Sequence, residues 1–363
     1  MVSLCLDGGG TKTTAVVVDD QGSLLGCGIG GPLAFVSSGG PVVARSARDA
    51  ASSAVEDAGI GVADIDTAVV ILGGGNVEEA QAAVRAAIGS DSVTILGELG
   101  AAEQLAEAGG YDVMVLAGTG TIAFGRRPEG GWAVCGGLGV LVGDEGSGFW
   151  IGWEAIRAVV RALDGRAPAI DLVQPVLAHM LGDDVAGDFG MVASERRDTV
   201  GRIRFATLNA DRSKIAALAP IVSQRAEAGD EVALGLLDRA GQELALHALA
   251  LLESCGHAPR GTVAGLGGVL RAGNAVTDPF TFKVLRGARR AKVVIPDLDL
   301  IAGAAMLAVR GAGKGADARR AVRARKAILR GWWSFRERLE ACRSSATEQY
   351  AGPSITEQLG AIE

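Results

Sequence analysis

The chain has 363 residues, 48% hydrophobic and 21% charged, with 54 glycines; this is enough for about two domains, each with a sizeable core. Its formal net charge of −7 excludes a general nucleic-acid binder, which needs a basic face to displace counterions from phosphates. No stretch is apolar over the roughly 18 residues a membrane span requires, and the N-terminus opens on a strand pattern instead of a secretory leader, so no membrane partner and a cytoplasmic location are expected.

In chain order, residues 2–6 form a short apolar run, 14–18 are rich in β-branched residues, and 23–28 follow after the turn Asp19-Asp20-Gln21-Gly22. The three predict a meander that opens a sheet. Residues 41–58 carry alanine and valine at helical spacing, 68–72 read as a buried strand ending in Gly73-Gly74-Gly75, and a second helix is predicted over 77–88. Residues 93–96 form another strand, which leads through Gly97-Glu98 into a helix over 101–108.

A second sheet is predicted from residue 113, with strands at 113–116, 122–125 and 132–135, the last after the turn Gly130-Gly131. Residues 151–255 are mostly alanine, leucine and arginine at helical spacing, broken at Gly182-Asp183-Asp184 and Gly229-Asp230. Strand character resumes at 263–265 and 292–295, and 301–309 is an alanine-rich helix suited to packing against a sheet. The five cysteines, Cys5, Cys27, Cys135, Cys255 and Cys342, are scattered singly, and there are three histidines, His179, His247 and His257. That pattern gives neither a disulfide framework nor a zinc site, and the cysteines read as small apolar residues.

Three glycine-and-hydroxyl loops lie at strand ends: Asp7-Gly8-Gly9-Gly10-Thr11-Lys12-Thr13, Gly118-Thr119-Gly120-Thr121 and Gly143-Asp144-Glu145-Gly146-Ser147-Gly148. Bare backbone N–H groups and short hydroxyls suit an anionic phosphate. In the first loop Gly9 and Gly10 allow close approach, Thr11 and Thr13 offer hydroxyls, Lys12 offers charge, and Asp7 can hold hydrated Mg²⁺. Gly118, Thr119, Gly120 and Thr121 repeat the arrangement. It is not a P-loop, because the glycines sit inside a hairpin and do not precede a helix. Gly265-Leu266-Gly267-Gly268-Val269-Leu270 follows a strand, where the flat face of adenine could lie on Gly267 and Gly268.

Residues 7–13, 118–125, 136–152 and 265–270 resemble the phosphate-1, phosphate-2, sugar-loop and adenosine motifs of the BadF/BadG/BcrA/BcrD ATPase family. Within it the chain is similar to the N-acetylglucosamine and glucosamine kinases, over about residues 1–310. The resemblance implies an α/β fold of two ribonuclease-H-like (actin-like ATPase) domains with a central nucleotide cleft. Residues 1–112 with a returning helix at 300–312 would form the first domain, 113–299 the second, and 313–363 an extension. It implies ATP with Mg²⁺ and transfer of the γ-phosphoryl group to a hydroxyl of glucosamine, N-acetylglucosamine or a related sugar-like molecule. Asp144, Glu145, Gly74 and Gly143 would then meet the acceptor.

Such a transfer needs a carboxylate to orient and deprotonate the acceptor hydroxyl. Amino-sugar kinases of this type place an Asp after an Asn there; the matching place reads Gly97-Glu98. Glu98 keeps the charge on an arm one methylene longer. Ala34 likewise stands where these kinases place a sugar-binding asparagine. Two other readings share the motifs: a non-catalytic ATP-binding or ligand-sensing homologue, and an ATPase activator of a reductase or dehydratase. The second holds an iron–sulfur cluster on paired cysteines, and no two cysteines here are close in sequence. Residues 317–340 carry eight Arg and Lys against three acids and include Trp332, Trp333 and Phe335. They predict a helix that docks on its own domain, or else a homodimer contact.

Overall fold

The computed structural model describes residues 1–9, 12–33, 35–73, 77–89, 92–182, 193–311 and 318–350. Gly10, Thr11, Ala34, Gly74 and Asp183-Asp184, on which expectations fell, lie outside the described residues. In chain order the elements are β1 (Val2–Gly8), β2 (Thr13–Asp19), β3 (Leu24–Gly30), α1 (Phe35–Asp57), β4 (Thr67–Leu72), α2 (Val77–Ile88), β5 (Val93–Leu96) and α3 (Glu98–Gly109). Next come β6 (Val113–Ala117), β7 (Thr121–Arg126), β8 (Trp132–Gly136), α4 (Gly148–Leu163), α5 (Val173–Leu181), α6 (Ala193–Leu208), α7 (Arg212–Ala216), α8 (Leu218–Glu227) and α9 (Glu231–Ser254). The chain continues with β9 (Thr262–Leu266), α10 (Asn274–Gly287), β10 (Lys292–Val294), α11 (Leu300–Gly311) and α12 (Ala318–Tyr350).

The described chain divides into two compact units, one of residues 1–111 with those from 297 onward, and one of residues 112–296. The first holds a sheet of order β3-β2-β1-β4-β5 and the second one of order β10-β9-β6-β7-β8. Each sheet is built on one plan. A three-strand antiparallel meander, β1-β2-β3 or β6-β7-β8, is extended from its first strand by two parallel strands. The fold is therefore α/β, with the ribonuclease-H-like sheet present twice. The plan puts the β1–β2 hairpin and the carboxyl ends of the parallel strands β1, β4 and β5 along one edge, where ligands of open α/β sheets bind.

β3 shows how sequence sets packing. Gly26, Gly28 and Gly30 alternate with Leu25, Cys27 and Ile29, so one face of the strand is bare backbone. A Cβ at these glycines would lie 2.3 Å from the Ala54 carbonyl oxygen, 2.4 Å from that of Ala50 and 2.2 Å from that of Ser46. α1 thus rests directly on the strand. This docking explains why α1 starts at Phe35 and not at residue 41: once the later turns are anchored, helical bonding propagates backward at little cost.

α12 belongs to the first unit. Ala324, Ile328, Trp332, Phe335 and Leu339 recur at helical spacing and are buried, and the helix packs on β3 and α11. Its cations meet acids of the same unit: Arg320 pairs with Asp20, Arg325 with Glu107, Arg336 with Asp297 and Arg338 with Asp57. The basic extension is a docked helix, with these four arginines paired to acids of its own unit. No helix among the described residues is long and apolar enough to cross a membrane.

Candidate functional site

In the first unit, Asp7 occupies the penultimate position of β1, in register with Ile71 of β4. Glu98 opens α3, whose N-cap Gly97 brings no capping side chain. The Glu98 carboxylate hangs over the end of β4: a Cβ on Gly73 would sit 3.2 Å from Glu98 Oε1. Asp299, directly before α11, is buried, and Arg343 of α12 reaches its Oδ2 at 3.3 Å.

These groups feel one another. Burial pushes the Asp7 carboxyl up to about 7, the negative charges of Glu98 and Asp299 push it the same way, and the Arg343 guanidinium opposes them. A carboxylate so crowded by like charge is short of a cation. Among the described residues no three His, Cys, Asp or Glu side chains form a metal cage.

The β1–β2 turn is closed by the Gly9 N–H donating to the Lys12 carbonyl at 3.0 Å, and the Leu33 N–H donates to the Gly9 carbonyl at 3.1 Å. Lys12 is exposed. Thr13, expected among the phosphate donors, is placed differently: it is fully buried and its hydroxyl donates to the Gly31 carbonyl at 2.7 Å. As the first residue of β2 it faces the neighbouring strand, and its single proton is committed there.

In the second unit, the glycine hairpin is braced from three sides. The Gly118 N–H donates to the Gly120 carbonyl at 3.0 Å within the turn. At the start of α4 the Gly148 N–H donates to the Gly118 carbonyl at 2.8 Å and the Phe149 N–H to the Thr119 carbonyl at 3.2 Å. Asp144 Oδ1 accepts the Thr121 N–H at 3.0 Å while the Arg212 guanidinium donates to Oδ2 at 2.6 Å. Asp144 is buried and takes a left-handed backbone, φ 64°, uncommon outside glycine. Its carboxylate lies under the hairpin, and Ser147 caps α4 by accepting the Trp150 N–H at 3.1 Å. Glu145 and Gly143 remain partly exposed beside it, next to the exposed apolar residues Leu138, Leu141 and Val142. The Thr121 hydroxyl is buried and makes no hydrogen bond, an arrangement that a polar ligand at the hairpin would relieve.

The glycine turn after β9 abuts the same hairpin. Gly267 has φ 99°, and a Cβ there would lie 2.3 Å from the Ala117 carbonyl oxygen, which also accepts the Val269 N–H at 3.1 Å. A Cβ on Gly268 would meet nothing within 4 Å, so this residue presents open backbone next to Gly118-Thr119-Gly120-Thr121. Gly267→Ala, which combines strain with a clash against fixed backbone, is expected to raise the KM for ATP at least about tenfold with a smaller change in kcat, measured by steady-state ADP release.

The structure thus groups Asp7 with Glu98, and Thr119 and Thr121 with Asp144, Gly267 and Gly268. Asp299, Arg343 and Arg212 were not found from sequence, since each stands outside any motif and reaches its partner only through the tertiary fold.

The family model for the BadF/BadG/BcrA/BcrD ATPase family matches residues 4–308. An N-acetylmuramic acid/N-acetylglucosamine kinase of Clostridium acetobutylicum is 30% identical over 210 residues, which is 56% of this chain and 64% of that relative, just under two thirds of its length. An N-acetyl-D-glucosamine kinase of Dictyostelium discoideum is 24% identical over 325 residues, 84% of this chain and 96% of the relative. A crystal structure from Chromobacterium violaceum, described as a candidate N-acetylglucosamine kinase, superposes with a TM-score of 0.65 at 26% identity, covering 84% of this chain and 98% of that one.

Proposed function

Because the chain belongs to the BadF/BadG/BcrA/BcrD ATPase family, we propose that it is an ATP-dependent kinase that transfers the γ-phosphoryl group to a hydroxyl of an amino sugar, N-acetylglucosamine or glucosamine. The observation that carries the reading is Glu98, a carboxylate fixed at the start of α3 over Gly73 and near enough to Asp7 for their charges to interact. Phosphoryl transfer asks a protein for such a pair, one carboxylate for the cation and one for the acceptor proton. The relatives named above act, by their names, on N-acetylated amino sugars, which supports the same substrate class.

In this mechanism Glu98 accepts the proton of the attacking hydroxyl, and Asp7 would hold a hydrated Mg²⁺ ion, whose charge would offset that of the phosphates. Lys12, Thr119, Thr121 and the bare backbone at Gly118 and Gly120 bind phosphate oxygens, while Gly267 and Gly268 bear the adenine. Asp144 acts as a positioning residue: it fixes the hairpin through the Thr121 N–H. Gly143 and Glu145 meet the acceptor, and the apolar rim at Leu138, Leu141 and Val142 suits the methyl of an N-acetyl group.

Glu98→Gln tests the assignment. Its kcat for the best acceptor in an ADP-release screen over sugars, amino sugars and cyclitols is expected to fall about 10²–10⁴-fold, with the KM for ATP within a few-fold. Unchanged turnover would remove Glu98 from the chemistry, and tight ATP binding with no acceptor in the whole panel would favour a ligand-sensing homologue.

A further inference from the structure

The bare glycine face of β3 is turned to α1, so the alternation of the strand sends Cys27 out of the opposite face, the one that α12 covers. There it meets Cys342. The two sulfurs lie 3.2 Å apart although the residues are 315 positions apart in sequence. Cys27 is fully buried, while Cys342 is partly exposed. Around them the Cys27 N–H donates to Asp57 Oδ2 at 2.8 Å and Arg338 pairs with Asp57, which fixes strand and helix on either side of the thiols. The sequence reading of five solitary cysteines is therefore revised for this pair, because the fold brings together two that spacing keeps apart.

We propose that Cys27 and Cys342 are a modification site: a dithiol that a two-electron oxidant of the peroxide class closes into a disulfide, stapling α12 to β3. The solvent-reaching Cys342 is oxidised first. Its thiol, reacting as the thiolate, takes one oxygen from hydrogen peroxide to give a sulfenic acid, and the hydroxide that leaves recombines with the thiol's proton as one water. The Cys27 sulfur then attacks the Cys342 sulfur, the S–O bond breaks, and a second water leaves with the Cys27 proton. Two electrons have passed from the two thiols to the peroxide. The sulfurs need to approach by only about 1 Å to reach bonding distance, a movement that side-chain rotation can supply. Cys5 and Cys255 are buried and Cys135 is partly exposed.

The staple closes a loop over most of the chain, the case in which a cross-link restricts the unfolded state most. Arg343, the neighbour of Cys342, is the residue that reaches Asp299, so the cross-link also fixes the guanidinium beside Asp7. The inference does not depend on the kinase reading.

The test treats the folded full-length protein with hydrogen peroxide at a few equivalents, alkylates the remaining thiols, and maps peptides without reduction. The expected result is a Cys27–Cys342 linked peptide, loss of two of the five thiols, and a Tm higher by roughly 5 °C that dithiothreitol reverses. Cys342→Ser should abolish both the linked peptide and the shift. Recovery of five alkylated cysteines, oxidation of Cys342 to a sulfinic acid with Cys27 still free, or a linkage to any other cysteine would overturn the proposal. The map of the unmodified sequence decides by itself should the variant fail to fold.

Discussion

Asp7→Asn will be more stable than the parent protein above pH 7, and inactive. The Asp7 carboxyl is raised from 3.8 to about 7 in the folded chain by burial and by the charges of Glu98 and Asp299. The folded state therefore holds this proton more tightly than the unfolded state. Stability is greatest below the unfolded value, falls as pH rises between about 4 and 7, and stays low above that range. The shift corresponds to at most roughly 4 kcal/mol, and partial exposure of the side chain brings the realistic penalty to about 2–3 kcal/mol. Asparagine removes the charge while keeping the shape. At pH 8 the variant should melt about 4–10 °C higher, with a flatter dependence of Tm on pH between 4 and 7. Under the proposed mechanism, in which Asp7 would hold Mg²⁺, phosphoryl transfer should fall at least about 10³-fold. Mg²⁺ should raise the Tm of the parent protein at pH 8 and leave the variant unmoved. Calorimetry across pH with and without Mg²⁺ checks all three; an Asn variant less stable at every pH would show that Asp7 is a structural anchor.

The second large effect lies in α12. Trp332 is 1% exposed and among the largest fully buried side chains of the chain, so Trp332→Ala should cost about 3–5 kcal/mol, read from denaturant midpoints. Its indole N–H makes no hydrogen bond. Trp332→Phe should therefore lose only packing, about 1–2 kcal/mol, whereas a tryptophan held by its N–H would lose a bond as well. Undocking α12 would also withdraw Arg343 from Asp299 and remove its charge from the surroundings of Asp7, so catalytic activity and stability should decline together in Trp332→Ala. Parent-like kcat in a variant that remains folded but destabilised would separate the helix from the site.

Both sheets could be read from sequence because most of their strands are short apolar runs bounded by glycine or aspartate, as at β1, β2, β4, β5, β6 and β9. Helix starts were harder. α3 begins at Glu98 itself, not at residue 101, so the carboxylate expected in a loop sits on the first turn of a helix, where the N–H groups favour an anion. The glycine hairpins were legible as turns, yet not the use of each hydroxyl: Thr13 lies in a ladder and bonds Gly31, while Thr121 is left without a partner. Both threonines open the second strand of a meander, so what separates them is whether a carbonyl lies within reach, as Gly31 does for Thr13. Asp144 and Arg212 are 68 positions apart, so no spacing rule could join them. The aromatic, basic extension was readable as an amphipathic helix, but the acids that receive its arginines, Asp20, Asp57, Glu107 and Asp297, are scattered over the whole first unit.

The hydrogen-only rank of Gly26, Gly28 and Gly30 has an outcome for mutational tolerance. The atoms in the way belong to the main chain of α1, which cannot rotate aside, so even a methyl at any of these places must lift the helix off the sheet. A saturation library over 24–30 should accordingly score as a comb. Positions 26, 28 and 30 would reject all nineteen alternatives alike, and positions 25, 27 and 29 would grade them smoothly by volume and polarity.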